Sequence, residues 1–426
     1  MIGRCIKLRN LPLKLQKKVL FMLIILTPVI DTINGLIIYN QKNIPLGVAY
    51  RFLFLVILFL LFLKNTRISI ELLLFYFIFL YLFVNPIITS SINNNLEGLS
   101  LDFEFASRII LFFVTLFTLY KIIKSDYQLL KRAIDVSCWI VCLTIIIPFV
   151  IGVGNNTYLD HNGIAVGFKG LYYSNNALNV VMIILFIFCL DEIFRYKIDF
   201  FRILKFFLVF VSTIIIGSKS SLFYALFMFI IYMFHYVKRI KIIQLIALFI
   251  GVLTSFLYFN KYFLDIINMQ IYRLTNNDFL TYLLSGRNEF LEVGANFYFS
   301  NLSITSLLFG LGNYEMITNI GKMYFGTSHI PKGIEMDFFD LFFNMGLITL
   351  LIFLTFFIYV LYKSYILIKT KNIEARPFIY SYIALLFFSI LGGHVITESF
   401  SITFFGVVTT GILSSYEHFV KNKLMN

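Results

Sequence analysis

Charge is what this sequence has least of. Only 13% of its 426 residues are Asp, Glu, Lys or Arg, against 60% hydrophobic and 19% aromatic, a balance far from that of soluble globular proteins. That scarcity excludes a sizeable soluble domain and makes lipid the chain's main solvent. Acid is scarcer than base, 22 residues to 35. The basic residues come in short clusters between apolar runs, which marks membrane topology rather than a nucleic-acid-binding segment. Cysteines number four. Cys138 and Cys142 share a helix face inside an apolar run while Cys5 and Cys189 stand alone, so neither a disulfide framework nor a metal site is implied. Internal repeats and low-complexity segments are absent too, beyond a general richness in Phe, Ile, Leu and Asn. The first apolar run follows six basic residues but precedes no small-residue cleavage site, so a retained helix is expected rather than a signal peptide.

What is present is a series of apolar runs near 19–39, 46–63, 70–88, 104–123, 134–153, 176–194, 200–216, 220–237, 242–259, 338–362, 377–394 and 399–416. The expected fold is all-α: one integral membrane domain over 1–426, a polytopic bundle of about 12 transmembrane helices. The least distinct break, Gly217-Ser-Lys-Ser-Ser221, lies between basic clusters at Arg195–Lys205 and Lys238–Lys241. Roughly forty residues at about 1.5 Å each make two crossings there. With both termini cytoplasmic, inside segments hold 25 Lys and Arg and outside segments eight, while Arg51 and Arg108 lie within spans. That asymmetry follows the positive-inside rule. Residues 260–337 form the one long connection, extracellular and between spans nine and ten, and a loop of that length is usually functional. Phe290, Leu291, Phe297 and Tyr298 fall on helical spacing within it, as in an amphipathic helix lying on a bilayer surface.

Ionisable groups in or beside a bilayer are costly and need a reason. Arg51 and Arg108 lie about a turn inside the outer ends of their helices, where they either snorkel or pair structurally. Together with Lys219 and Arg287, on the same expected side, they form a cation set suited to a phosphorylated lipid headgroup. Asp31, in the outer half of the first span, reads as a partner of Arg51 or Arg108. Glu335, Asp337 and Asp340 enter the tenth span from outside. Capping accounts for one such carboxylate, and another could take a proton from a sugar hydroxyl. His394 and Glu398 are placed to pair across the last outer turn. His161, His329 and His394 lack metal spacing, and neither a metal nor a cofactor is expected.

Taken in order, these segments resemble the O-antigen polymerase and O-antigen ligase superfamily, particularly members from Gram-positive capsule and teichuronic acid pathways. The likeness rests on Ile30-Asp-Thr-Ile-Asn-Gly35, on Gly167-Phe-Lys-Gly-Leu-Tyr-Tyr-Ser-Asn175, and on Gly217-Ser-Lys-Ser-Ser221. Ser285-Gly-Arg287, Phe309-Gly-Leu-Gly312 and the segment Glu335 to Gly346 complete it. Lys219 stands where the family often has Arg, and Glu335 where ligases have His. The resemblance implies a metal-independent, GT-C-like glycosyltransferase in a bacterial cytoplasmic membrane. It would extend a glycan for capsule, exopolysaccharide or teichuronic acid from undecaprenyl-diphosphate-linked oligosaccharides, beside a flippase and a chain-length regulator. Glu335 or Asp337 would be the base; Arg287, Lys219, Arg51 and Arg108 would hold the diphosphate; Asp31, Asn175, His394 and Glu398 are further site candidates. The alternatives are a ligase acting on another acceptor and a twelve-helix transporter or flippase.

Overall fold

The structure, a computed structural model, describes residues 12–425 apart from 43, 66–69, 94, 160–164, 198, 237–259 and 328–329. The expected span at 242–259 and the candidates His161 and His329 lie outside the described residues. Eight helices come first: α1 (Leu13–Tyr39), α2 (Leu46–Asn65), α3 (Ile70–Ile92), α4 (Leu99–Ile123), α5 (Gln128–Ile151), α6 (Asn175–Arg195), α7 (Phe200–Ile216) and α8 (Lys219–Tyr236). An antiparallel hairpin, β1 (Asn156–Leu159) and β2 (Ala165–Phe168), separates α5 from α6 and pairs Tyr158 with Val166. Five helices follow in the long connection: α9 (Asn260–Asn276), α10 (Phe279–Leu284), α11 (Arg287–Ser300), α12 (Ile304–Phe309) and α13 (Asn313–Phe325). The chain ends with α14 (Asp337–Lys369), a short 3-10 turn at Ile373–Ala375, α15 (Arg376–Leu391) and α16 (Ser399–Met425).

Nine described helical stretches are long and apolar enough to cross a membrane: α1 to α6, α14, α15 with its preceding turn, and α16. The protein is therefore a polytopic helical membrane protein. α4, α6 and α16 form its enclosed centre, and α2 and α3 expose large apolar side chains such as Phe52 (69%) and Phe77 (62%), the arrangement expected where lipid replaces water. Polar side chains inside the bundle bond back to their own helix: Thr27 to the Leu23 carbonyl, Thr32 to that of Pro28 and Ser364 to that of Val360.

Ion pairs sort the connections between two ends of the bundle. Lys17 meets Asp126 at 2.7 Å and Lys131 meets Glu374 at 2.6 Å; Arg195 joins Glu374, and Lys205 joins Asp135 and Glu192. These links gather the start of α1, the α4–α5 and α6–α7 turns and the turn before α15 at one basic end. The hairpin and the long connection lie at the other. There α11 does not simply lie flat. Its Tyr298 is buried with Leu311, Met316, Ile320, Ile334, Met336 and Phe343, and Phe290, Leu291 and Phe297 pack on that cluster. The side chains expected to face lipid are spent on a small core, so the connection is a folded cap.

The cap docks at a break in α14. Gly346 has φ 81° and ψ 178°, so α14 is two helices end to end, in a backbone region open essentially to glycine alone. The carbonyls freed by the break are taken up: Leu311 N–H donates to Phe343 O (2.9 Å) and Gly312 N–H to Asn344 O (3.1 Å). Tyr81 and Asn85 of α3 donate to Met345 O at 3.1 and 3.3 Å. The run Phe309-Gly-Leu-Gly312 is thus the cap's foot on the bundle.

Candidate functional site

Glu335 precedes α14, whose N-cap position is Met336, so it does not occupy the capping place. Its backbone is left-handed, φ 63°, as is that of His394 in the turn between α15 and α16. The turn that carries His394 is tied to the start of α14 by Asp337, which is wholly buried. Its carboxylate accepts from the amides of Val395 (2.9 Å) and Ile396 (3.1 Å) and from the Thr397 hydroxyl (2.9 Å). Gly393 then lies so close to the Glu335 carbonyl that a Cβ would collide with it. Two turns distant in sequence are locked face to face.

The lock brings charges together. Glu335 Oε2 lies 3.3 Å from Arg287 Nη2 and 3.4 Å from His394 Nε2, the latter without hydrogen-bond geometry, and Lys332 pairs with Oε1. On the other side His394 Nδ1 stands 3.7 Å from Glu398. Burial opposes ionisation of Glu335, but His394 and then Lys332 outweigh it and hold the carboxyl well below the usual range. Burial would likewise push His394 down, and the approach of Glu335 and Glu398 lifts it to about 10 instead. Glu398 is lowered: burial again opposes its charge, and His394 and Arg108 overcome it. The result is a half-buried row of alternating charge, Lys332 or Arg287, Glu335, His394, Glu398.

Two cations of the expected phosphate set are already committed. Arg51 donates to Asp31 at 2.6 Å; Arg108 donates to Glu104 at 2.5 Å and to the Thr397 carbonyl at 2.9 Å. Asp31 is thus the partner of Arg51, and Asp337 is a backbone clamp. Lys219 and Arg287 are different. Lys219 begins α8, donates to the Tyr282 carbonyl and lies 4.5 Å from the Tyr282 ring centre. Arg287 begins α11, is 9% exposed, and gives one nitrogen to Leu284 O (3.2 Å) and another to Glu335.

Close by stands a cation that reading the sequence left aside. Arg273 of α9 lies over the Tyr158 ring at 4.9 Å, and its charge and that of Arg287 both reach Lys219 and Tyr158. Asn175, at the start of α6, donates to the Tyr158 hydroxyl at 3.3 Å. No signal in the sequence singles out Arg273, because its role depends on the unpredicted hairpin beneath it. Cys189 also acquires a neighbour, the Cys138 sulfur at 3.7 Å, with both thiols free. Among the described residues no group of His, Cys, Asp and Glu is arranged to hold a metal ion. No protein-family model matches this chain, and no curated protein matches it.

Proposed function

We propose that this chain is a polysaccharide polymerase that joins lipid-linked sugars at the outer face of a bacterial cytoplasmic membrane. The observation that carries the proposal is Arg287: one nearly buried guanidinium faces an ionised carboxylate–histidine row and also adjoins the cations Lys219 and Arg273, which have no carboxylate partner among the described residues. That is a place for a proton acceptor beside a place for a polyanion.

In the reaction, a hydroxyl of one undecaprenyl-diphosphate-linked repeat attacks the anomeric carbon of the chain carried on another. The bond from that carbon to the diphosphate oxygen breaks with inversion, and its electron pair leaves with undecaprenyl diphosphate. Burial alone would make Glu335 a stronger base, but its cationic neighbours make it a weak one at rest, and it takes the hydroxyl proton as the negative charge of the arriving diphosphate raises its basicity. Arg287 and Lys219 stabilise the charge growing on the leaving diphosphate, and fixed cations in a water-poor site do this at little reorganisation cost. His394, held between Glu335 and Glu398, keeps Glu335 in place and ionised in the resting site. No metal, cofactor or nucleic acid is called for.

The scaffold in this proposal is a twelve-span GT-C-like bundle. α7 and α8 leave and rejoin the basic end, where the Arg376 guanidinium donates to the Tyr236 hydroxyl at 3.1 Å. A ligase would share this chemistry and differ in its acceptor. A transporter would place its charged groups at mid-bilayer, whereas these gather at one end. The test is to incubate purified protein with a lipid-linked repeat. A ladder of chain lengths is expected; transfer of one glycan to a foreign acceptor makes it a ligase, and unaltered repeats moved across a vesicle wall make it a flippase.

A further inference from the structure

Resting on that reading, we propose that the sugar diphosphate binds in a chamber walled by Lys219, Arg273 and Arg287 between the hairpin and the starts of α8 and α11, and that Arg273 is its third cation.

The first reason is which cations are free. Arg51 and Arg108 already serve Asp31, Glu104 and a carbonyl, so an anion there would have to displace a carboxylate. Among the described residues, Lys219 and Arg273 have only a carbonyl and aromatic rings for partners.

The second reason is unmet hydrogen bonding. Arg287 is nine-tenths buried, yet its Nε has no partner among the described residues. The walls carry more such atoms: both amide atoms of Gln270, one turn before Arg273, together with Asn175 Oδ1, Asn288 Oδ1 and Thr157 Oγ1. Buried polar atoms are nearly always paired, so a cluster of orphans marks a place for something polar. The kinds of orphan matter. Guanidinium, ammonium and amide N–H groups donate to phosphate oxygens, while the amide and hydroxyl oxygens accept from hydroxyls. A sugar carrying a phosphate group needs both. Helices α6, α8 and α11 all begin at these walls, and their amino-terminal dipoles favour negative charge there.

The chamber is held by a small apolar floor in which Tyr158 packs against Val166, Ile266 and Met269, which fixes α9, and so Arg273, to the hairpin. It also meets the carboxylate row at one residue. Arg287 cannot give the same N–H groups fully to Glu335 and to an incoming diphosphate. Arrival of the anion therefore weakens the hold on Glu335, which is then freer to take a proton from the second sugar.

Inorganic pyrophosphate is the probe, titrated into the full chain in lipid nanodiscs. Wild type should bind it; Arg273→Gln should bind about 10- to 100-fold more weakly, the worth of one charge-assisted contact. Arg273→Lys, which keeps the charge above Tyr158, should recover part of the loss. Glu335→Gln should bind several-fold more tightly, because an internal competitor is gone. Unchanged binding by Arg273→Gln, or absence of binding by wild type, overturns the chamber, as does weakening by Arg51→Lys alone. The ladder assay stands apart: a ladder with unaltered pyrophosphate binding in Arg273→Gln leaves the polymerase and removes the chamber. Arg273-dependent binding without a ladder leaves an anion site and removes the polymerase.

Discussion

Glu335 and His394 share a φ of 63°, a conformation that costs a non-glycine residue of order 1–3 kcal/mol. The clamp from Asp337 is what makes the cost bearable. Asp337→Asn can keep one oxygen for the two backbone N–H groups but sets an NH2 in place of the oxygen that accepts from the Thr397 hydroxyl and removes the charge that strengthens all three bonds, so it should cost about 1–3 kcal/mol and lower the yield of folded protein. Glu335→Gln keeps the shape and removes the proton acceptor, so turnover per folded molecule should fall about 100- to 10,000-fold. Near-wild-type turnover by Glu335→Gln would sink the carboxylate base. The same pair sets a pH dependence. The His394 pKa is raised from 6.5 to about 10, so its stabilisation is full below about 6.5 and is lost as pH climbs toward 10. The Glu335 pKa is lowered, so its share is present above the ordinary 4.5 and is lost on acidification. Around His394 stand Glu335, Glu398, Asp337 and Asp340 with Lys332, Arg287 and Arg108 close by, so a variant lacking only the imidazole is what isolates the histidine's own share. Wild type should lose thermal stability in detergent between pH 6.5 and 10 more steeply than His394→Gln, and parallel curves would remove this histidine from the account.

At the scale of elements, the long spans were legible because hydrophobicity over about twenty residues is a local property. The helices found in α1 to α6 track the apolar runs to within a few residues at most ends. Three things were not legible. The run at 338–362 reads as one helix, yet Gly346 breaks α14 because the cap's carbonyl and amide groups dock there, a choice made by contacts far away in sequence. The hairpin at 156–168 is too short to announce itself by alternation, and without it Arg273 has no assignable partner. The 260–337 connection looked like loop with one surface helix, because its small core draws single residues from several short helices. Of the candidate site, position alone gives Asp31 a partner in either Arg51 or Arg108, of which the structure uses Arg51, and sets His394 beside Glu398. The backbone clamp of Asp337 was hidden in a carboxylate that could equally have been a base. Gly346→Ala tests the cap's foot. A Cβ there meets the Leu308 backbone in a glycine-only conformation, and the variant should lose several kcal/mol. That would appear as protease sensitivity of the cap while the spans stay inserted; an unchanged melting temperature would show that the break is not required.

For the molecule as a whole, the question is which way it faces. The ion pairs that gather Lys17, Asp126, Lys131, Arg195, Lys205 and Glu374 at one end also gather most of the chain's basic clusters there. A membrane protein keeps such an end in the cytoplasm because Lys and Arg resist translocation. The cap, with both candidate subsites, should then face outside, where a lipid-linked repeat delivered by a flippase would meet it. Two exposed asparagines can report this, Asn277 at the end of α9 and Asn422 near the end of α16. Cysteine at Asn277 should react with a membrane-impermeant thiol reagent in intact cells, and cysteine at Asn422 only after permeabilisation. The buried Cys138, Cys142 and Cys189 should stay silent, and Cys5→Ser removes the remaining thiol. Were the two labels to exchange behaviour, the site would face the cytoplasm, and a polymerase fed from outside would no longer fit. The chain would then have to act before its substrate crosses the membrane, as a transferase assembling repeats or as the flippase itself.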